Sequence, residues 1–286
     1  IMATPPCQGM STAGKHDKND ERNMLIKYAV EIVKKIKPKF AFFENVPEQL
    51  TTNINYRDKN ILIPDYIKSE LDELYNFNNS HVINAADYGV PQMRERAIFL
   101  LVRKDQNIIW KFPAKKEKPV TLLEAIGSLP SLDPELYDLT HEEQMKIFPD
   151  YEKKKLEGLK ISKWHYPPKH IYRQVFSLMH TPSGETAFNN EKYYPKKDNG
   201  DRVNGHNNTY RRYDWNKPAR TITQNNGVIS SLCCVHPGRY IGKDSDGYDL
   251  YSDARCLTIY ELLIVFSLPK DWNIPEWADD RLIRQV

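Results

Sequence analysis

Between Asp20 and Lys37, apolar residues recur at three- and four-residue steps (Leu25, Ala29, Ile32, Val33, Ile36) with lysine and glutamate between them. That spacing predicts an amphipathic helix, which Pro38 ends. Phe40-Ala41-Phe42-Phe43 is a short, continuous apolar run, the mark of a strand covered on both faces, and it stops at Glu44-Asn45-Val46-Pro47. Ile1-Met2-Ala3 predicts the end of another buried strand. Strand, helix and strand within about fifty residues make the βαβ unit of a parallel sheet. Further along, a helix is predicted over 65–75, a strand over 82–85, a turn at 87–91 and an apolar strand over 97–102.

After Arg103 the texture changes. Long polar stretches, proline pairs and many tyrosines run to about residue 217, with a short helix predicted over 122–129. Asn225-Asn226-Gly227 is a strong hairpin signal and predicts two short strands within 218–235. An apolar helix is predicted over 254–267, stopped before Pro269. The pattern therefore predicts an α/β domain followed by a smaller, irregular, β-leaning domain.

The 286 residues allow one large domain or a large and a small one, and a hydrophobic fraction of 40% suffices for a core. No apolar run is long enough to span a bilayer and no signal peptide is evident, so a cytoplasmic location is the default expectation. Net charge is only +3, yet 151–173 carries seven Lys/Arg against two Glu. Such runs are solvated faces unless other features imply a polyanion. The four cysteines (Cys7, Cys233, Cys234, Cys256) lack C-x-x-C spacing, and neither a metal site nor a disulfide framework is expected. Ile1 falls inside an apparent strand and the tail ends uncapped, so the chain reads as one with further sequence on both sides.

In Pro5-Pro6-Cys7-Gln8-Gly9, two prolines fix the backbone leaving the first strand and present a thiol at its C-terminal edge. Open α/β sheets place their ligand crevice at that edge. A cysteine by itself is as well explained as a small buried hydrophobe. Glu44 stands at the end of the next strand and shares the crevice if the two strands are neighbours. Arg94 and Arg96 in Gln92-Met93-Arg94-Glu95-Arg96 point to one face of an extended run. Two guanidiniums side by side suit a planar or phosphate-bearing ligand, or serve as surface ion-pair partners.

These three motifs, in this order and spacing, resemble the Pro-Cys, Glu-Asn-Val and Gln-Arg-Arg-x-Arg motifs of DNA (cytosine-5) methyltransferases of the bacterial restriction-modification type. Pro218-Ala219-Arg220-Thr221-Ile222-Thr223 is similar to the end of the family's target-recognition region, and 257–269 to the segment that returns to its catalytic domain. Met93 stands where the family usually has a basic residue. The family's Gly-rich cofactor loop and its closing Gly-Asn motif are not in the sequence.

The resemblance implies a Rossmann-like methyltransferase sheet plus a smaller, irregular, mainly β target-recognition domain. It divides the chain into a catalytic part (1–110), a recognition part (111–255) and a return segment (256–286). It implies methyl transfer from S-adenosylmethionine to carbon 5 of a flipped-out cytosine in double-stranded DNA. Cys7 would be the nucleophile, Glu44 the acid at ring nitrogen 3, Arg96 its orienting partner and Arg94 a further cation. Asn45 would fix local backbone. Pro5 and Leu25 would touch the cofactor. Gln8, Ser11, Arg22, Arg211, Arg212 and Thr221 would contact DNA. A second chain or a missing segment would complete the cofactor site, and the 286 residues alone would bind cofactor weakly or not at all. An RNA methyltransferase of the same fold and a non-catalytic DNA-binding subunit are the alternative readings, and no membrane partner is expected.

Overall fold

The computed structural model describes residues 1–6, 25–269 and 271–285. Two compact units emerge, one of residues 1–88 with 94–117 and the other of residues 89–93 with 118–286.

In the first unit the elements are β1 (Met2–Ala3), α1 (Leu25–Ile36), β2 (Phe40–Asn45), β3 (Asn53–Tyr56), β4 (Lys59–Leu62), α2 (Ile63–Leu71), β5 (Tyr75–Asn84) and β6 (Glu95–Arg103). The main sheet has the order β1-β2-β6-β5. β1 is parallel to β2, with Ala3 opposite Phe43, so the predicted βαβ unit is present. β6 runs antiparallel to both β2 and β5, which departs from the all-parallel expectation. The reason is length: only residues 85–94 join β5 to β6, and a parallel connection needs a crossover of a dozen or more residues. Because β2 and β5 both oppose β6, they point the same way, and α2 is the crossover between them.

The strand expected to be buried at Ile1-Met2-Ala3 is instead exposed, with Met2 at 71%. α1 buries Ile26, Val30 and Val33, spaced by four and three residues. It stops at Lys37, which takes a left-handed φ of 52° directly before Pro38. Ala41 and Phe43 of β2 meet Leu101 and Phe99 of β6 on one face, in one core cluster with those α1 residues and with Ile63, Ile67 and Leu71 of α2. On the other face Phe40 and Phe42 pack against Trp110, at ring separations of 5.6 and 6.5 Å. The sheet is thus covered on both sides, as the unbroken apolar run of β6 requires.

In the second unit the elements are α3 (Leu122–Ile126), β7 (Glu135–Leu136), α4 (His141–Ile147), α5 (Tyr151–Ile161), β8 (Lys169–His170), α6 (Tyr172–Met179), β9 (Tyr240–Lys243), β10 (Asp249–Tyr251), α7 (Ile259–Val265) and α8 (Asp280–Gln285). The unit is irregular, as expected, but its β character is slight. It consists of two short ladders and isolated bridges such as Arg212 with Val235 and Val235 with Cys256.

The hairpin expected around Asn225-Asn226-Gly227 does not form; that segment is a turn without flanking strands. Tertiary contacts hold it instead. The Asn226 amide donates to the carbonyls of Thr223 and Arg284, and a Cβ on Gly227 would meet Arg284 Cδ at 2.8 Å. Thr258 caps α7 through a reciprocal pair of bonds with Glu261, so the helix begins at Ile259 rather than at residue 254, where its apolar run suggests.

Candidate active site

The C-terminal end of β2 brings two of the sequence-marked groups, Glu44 and Arg96, together. Glu44 lies opposite Ile98 of the antiparallel β6, so Arg96, two residues away, shares its face. Arg96 Nε contacts Glu44 Oε1 at 2.7 Å, and both side chains keep about a fifth of their surface exposed (19% and 23%). Arg96 Nη1 also donates to the Glu95 carbonyl at 2.6 Å, which fixes the guanidinium. The result is a carboxylate and a planar cation, oriented by each other and still open to solvent.

Asn45 points to the opposite face of β2 and is buried. Its Nδ2 donates to the Pro5 carbonyl at 3.0 Å, while its Oδ1 accepts the Val46 N–H at 2.9 Å. It ties the segment after β1 to the turn after β2, the backbone-fixing role expected from the sequence. Pro5 is half-buried, as is Leu25, the first residue of α1. Arg94 precedes β6, where Asn84 Oδ1 accepts its N–H at 3.1 Å and its carbonyl accepts from Ala85 N–H at 2.9 Å. Cys7, Gln8, Ser11 and Arg22 lie outside the described residues.

In the second unit Thr221 Oγ1 donates to the Met93 carbonyl at 2.7 Å. Beside it, Met93 N–H donates to the Ala219 carbonyl at 2.7 Å and Ala219 N–H to the Pro91 carbonyl at 2.9 Å, so the Pro-Ala-Arg-Thr segment is laced to the start of the arginine motif. Arg211 is half-buried and donates to the Gly184 carbonyl at 2.6 Å.

Arg212 corrects the sequence reading. It is 1% exposed, and its nitrogens donate to the carbonyls of Leu178, His236, Ser252 and Asp253. Burial lowers its pKa to about 9, which still leaves it charged at neutral pH. A guanidinium so enclosed cannot reach a DNA phosphate; it holds the core of its unit together.

Sequence reasoning missed the ionic centre beside it. Arg255 is fully buried and pairs with Glu261 through two bonds of 2.8 and 2.9 Å, and with Asp253 at 2.8 Å. Asp253 also accepts from Ser131, Ser252 and the Leu132 N–H. Burial alone would raise the Glu261 pKa; Arg255 and His236 outweigh it and hold it at about 2. Burial also outweighs the neighbouring Asp253 carboxylate at His236 and lowers that imidazole to about 4. Thr258 and Glu261 formed a readable capping box, but nothing in the sequence marked Arg255 as its buried partner.

A family model for C-5 cytosine-specific DNA methylases matches residues 1–286. The chain belongs to that family. By family it is a DNA cytosine-5 methyltransferase. It is 40% identical over 291 residues to the type II methyltransferase M1.HgaI of Avibacterium volantium, covering 100% of this chain and 73% of that protein. It is 38% identical over 137 residues to M.MthTI of Methanothermobacter thermautotrophicus, covering 48% of this chain and 40% of that protein. Among solved structures, an Escherichia coli prophage-encoded putative DNA modification methyltransferase matches with a TM-score of 0.55 at 19% identity, over 100% of this chain and 76% of that one. The Entamoeba histolytica methyltransferase EhMeth matches at 0.51 and 14%, over 99% of this chain and 70% of that one. These two likenesses support the fold. Among the described residues no helix is long and apolar enough to cross a membrane.

Proposed function

We propose that the chain methylates carbon 5 of cytosine in double-stranded DNA by way of a covalent Cys7 adduct, as the modification enzyme of a restriction system. The observation that carries this reading is the Glu44–Arg96 pair at the end of β2, beside a Pro5 carbonyl clamped by Asn45 two residues before Cys7.

Carbon 5 of cytosine is a weak nucleophile until a thiolate adds at carbon 6 and turns the ring into an enamine. Cys7 is the thiolate by its position in the motif. Addition pushes electrons toward ring nitrogen 3, where Glu44 donates a hydrogen bond or a proton. Arg96 orients Glu44 and holds the ring carbonyl, and Arg94 adds positive charge. Once carbon 5 carries the methyl group, its hydrogen leaves as a proton to solvent water, and the electrons of that bond re-form the 5,6 double bond and expel Cys7 as a thiolate. Carbon 6 is inaccessible in stacked duplex, so the base must leave the helix.

S-adenosylmethionine, when bound, supplies the electrophilic methyl group. Pro5 and Leu25 fit it as an apolar wall, one after the C-terminal end of β1 and the other opening α1, where open α/β sheets receive nucleoside ligands. The recognition role assigned to residues 111–255 falls mostly in the second unit, with Thr221 and the half-buried Arg211 as phosphate contacts.

The test is Glu44→Gln. It keeps the shape and removes the titratable proton, so the methylation rate should fall by a factor of about 10²–10⁴, the usual worth of a positioned acid, with DNA affinity unchanged. A rate within a factor of three of the parent would refute the role. Transfer RNA offered beside duplex DNA serves as the competing substrate, and methylation of the RNA alone would overturn the DNA assignment.

A further inference from the structure

In the second unit a cleft of about 240 Å³ is lined by Met93, Arg211, Tyr213, Lys217, Arg220 and Cys233, among others. Its polar groups are nearly all donors. Arg211 is held by the Gly184 and Asn207 carbonyls, and Arg220 Nη1 donates to Asn208 Oδ1 at 3.1 Å. Neutral acceptors thus orient both guanidiniums, and among the described residues no carboxylate forms an ion pair with either. Lys217 is balanced by Asp214 at 3.2 Å, the one acid on the cleft wall.

Tyr213 is 4% exposed, and its hydroxyl is buried without a hydrogen-bond partner among the described residues. Burial raises its pKa well above the usual tyrosine value, so the hydroxyl keeps its proton. An unpartnered buried hydroxyl costs about 1–3 kcal/mol, and a ligand acceptor would relieve that.

We infer that this cleft is an anion site that seats a phosphodiester of the DNA strand, gripped by Arg220 and Arg211 and accepting from the Tyr213 hydroxyl. An excess of fixed donors over acceptors suits a phosphate better than a base edge, which presents both. The cleft wall includes Met93, whose backbone is bonded to Ala219 and Thr221 and which immediately precedes Arg94 in the chain. Seating a phosphate here would therefore register the strand against the segment leading into the arginine motif. The inference rests on the reading of the chain as a DNA methylase.

The test uses the whole protein and two fluorescein-labelled duplexes, one that it methylates and one of scrambled sequence. Arg220→Ala should weaken both by the same factor, about tenfold, and flatten the slope of log K against log salt by about 1. Tyr213→Phe loses no bond within the free protein, so its melting temperature should hold or rise while its DNA affinity falls about threefold or more. Unchanged affinity in either variant would overturn the site. A loss confined to the methylated duplex would overturn the phosphate and make Arg220 a base reader. If the parent protein bound neither duplex, the DNA reading itself would fail, a different result from a binding parent with an unaffected Arg220→Ala.

Discussion

Glu261→Gln probes the buried ionic centre, and its cost can be worked from the contacts. The Glu261 carboxylate accepts two bonds from Arg255 and one, at 2.7 Å, from the Thr258 N–H, and it is fully buried. Glutamine keeps one acceptor but turns an amide NH₂ toward the guanidinium. Asp253 is then the one carboxylate paired with Arg255, whose remaining bonds go to the neutral carbonyls of Leu132 and Cys256. Breaking a buried pair from one side costs about 3–5 kcal/mol, because the remaining charge cannot regain its hydration. At about 2–4 °C per kcal/mol for a domain of this size, melting should fall by roughly 10 °C.

The two shifts also set a pH window. Glu261 sits at about 2 in the folded chain against 4.5 ordinarily, so its contribution is whole above pH 4.5 and is lost as pH falls toward 2. His236 is held at about 4 against 6.5, so the unfolded chain takes up a proton that the folded one refuses, and stability declines from pH 6.5 down to 4. Equilibrium denaturation and calorimetry from pH 8 to 3 would measure both. The variant should lose the step below pH 4.5 and keep the one above it. A loss under 1 kcal/mol at pH 7, or a parent protein equally stable at pH 7 and 5, would refute this account of the centre.

Arg212→Met should destabilise the protein by about 2–4 kcal/mol, because its donors satisfy four buried carbonyls, and should leave the salt dependence of DNA binding unaltered. Chemical denaturation and a salt titration separate those effects, and a shallower salt slope would return Arg212 to the DNA surface. Asn45→Ala removes the tie to the Pro5 carbonyl. It should cost about 1–3 kcal/mol and lower kcat more than it raises KM for DNA; a change in KM alone would mean that the tie serves binding.

The Glu44–Arg96 pairing was legible because the proposed reaction demands an acid and a cation, and strand register carries them to one edge. Glu44 and Arg96 are separated by 52 positions, yet the pairing of Glu44 with Ile98 places them on one face. What local pattern could not convey was tertiary enclosure. Arg212 and Arg211 are neighbours of the same residue type, but alternation turns Arg212 wholly into the core and leaves Arg211 half-buried. Asn225-Asn226-Gly227 has ideal hairpin chemistry and is claimed instead by Arg284, 58 positions from Asn226. The antiparallel β6 follows from a connection length that was visible, but the boundary of β5 was not: it begins at Tyr75 rather than near Val82.

The most direct test of the central claim is the identity of the methylated base. Duplex DNA is incubated with the full-length protein and S-adenosylmethionine, digested to nucleosides and resolved by mass spectrometry, with a Cys7→Ala variant alongside. The account predicts 5-methylcytosine from the parent protein and none from the variant. Methyl groups on an exocyclic nitrogen of cytosine or adenine, or 5-methylcytosine that persists in Cys7→Ala, would contradict it.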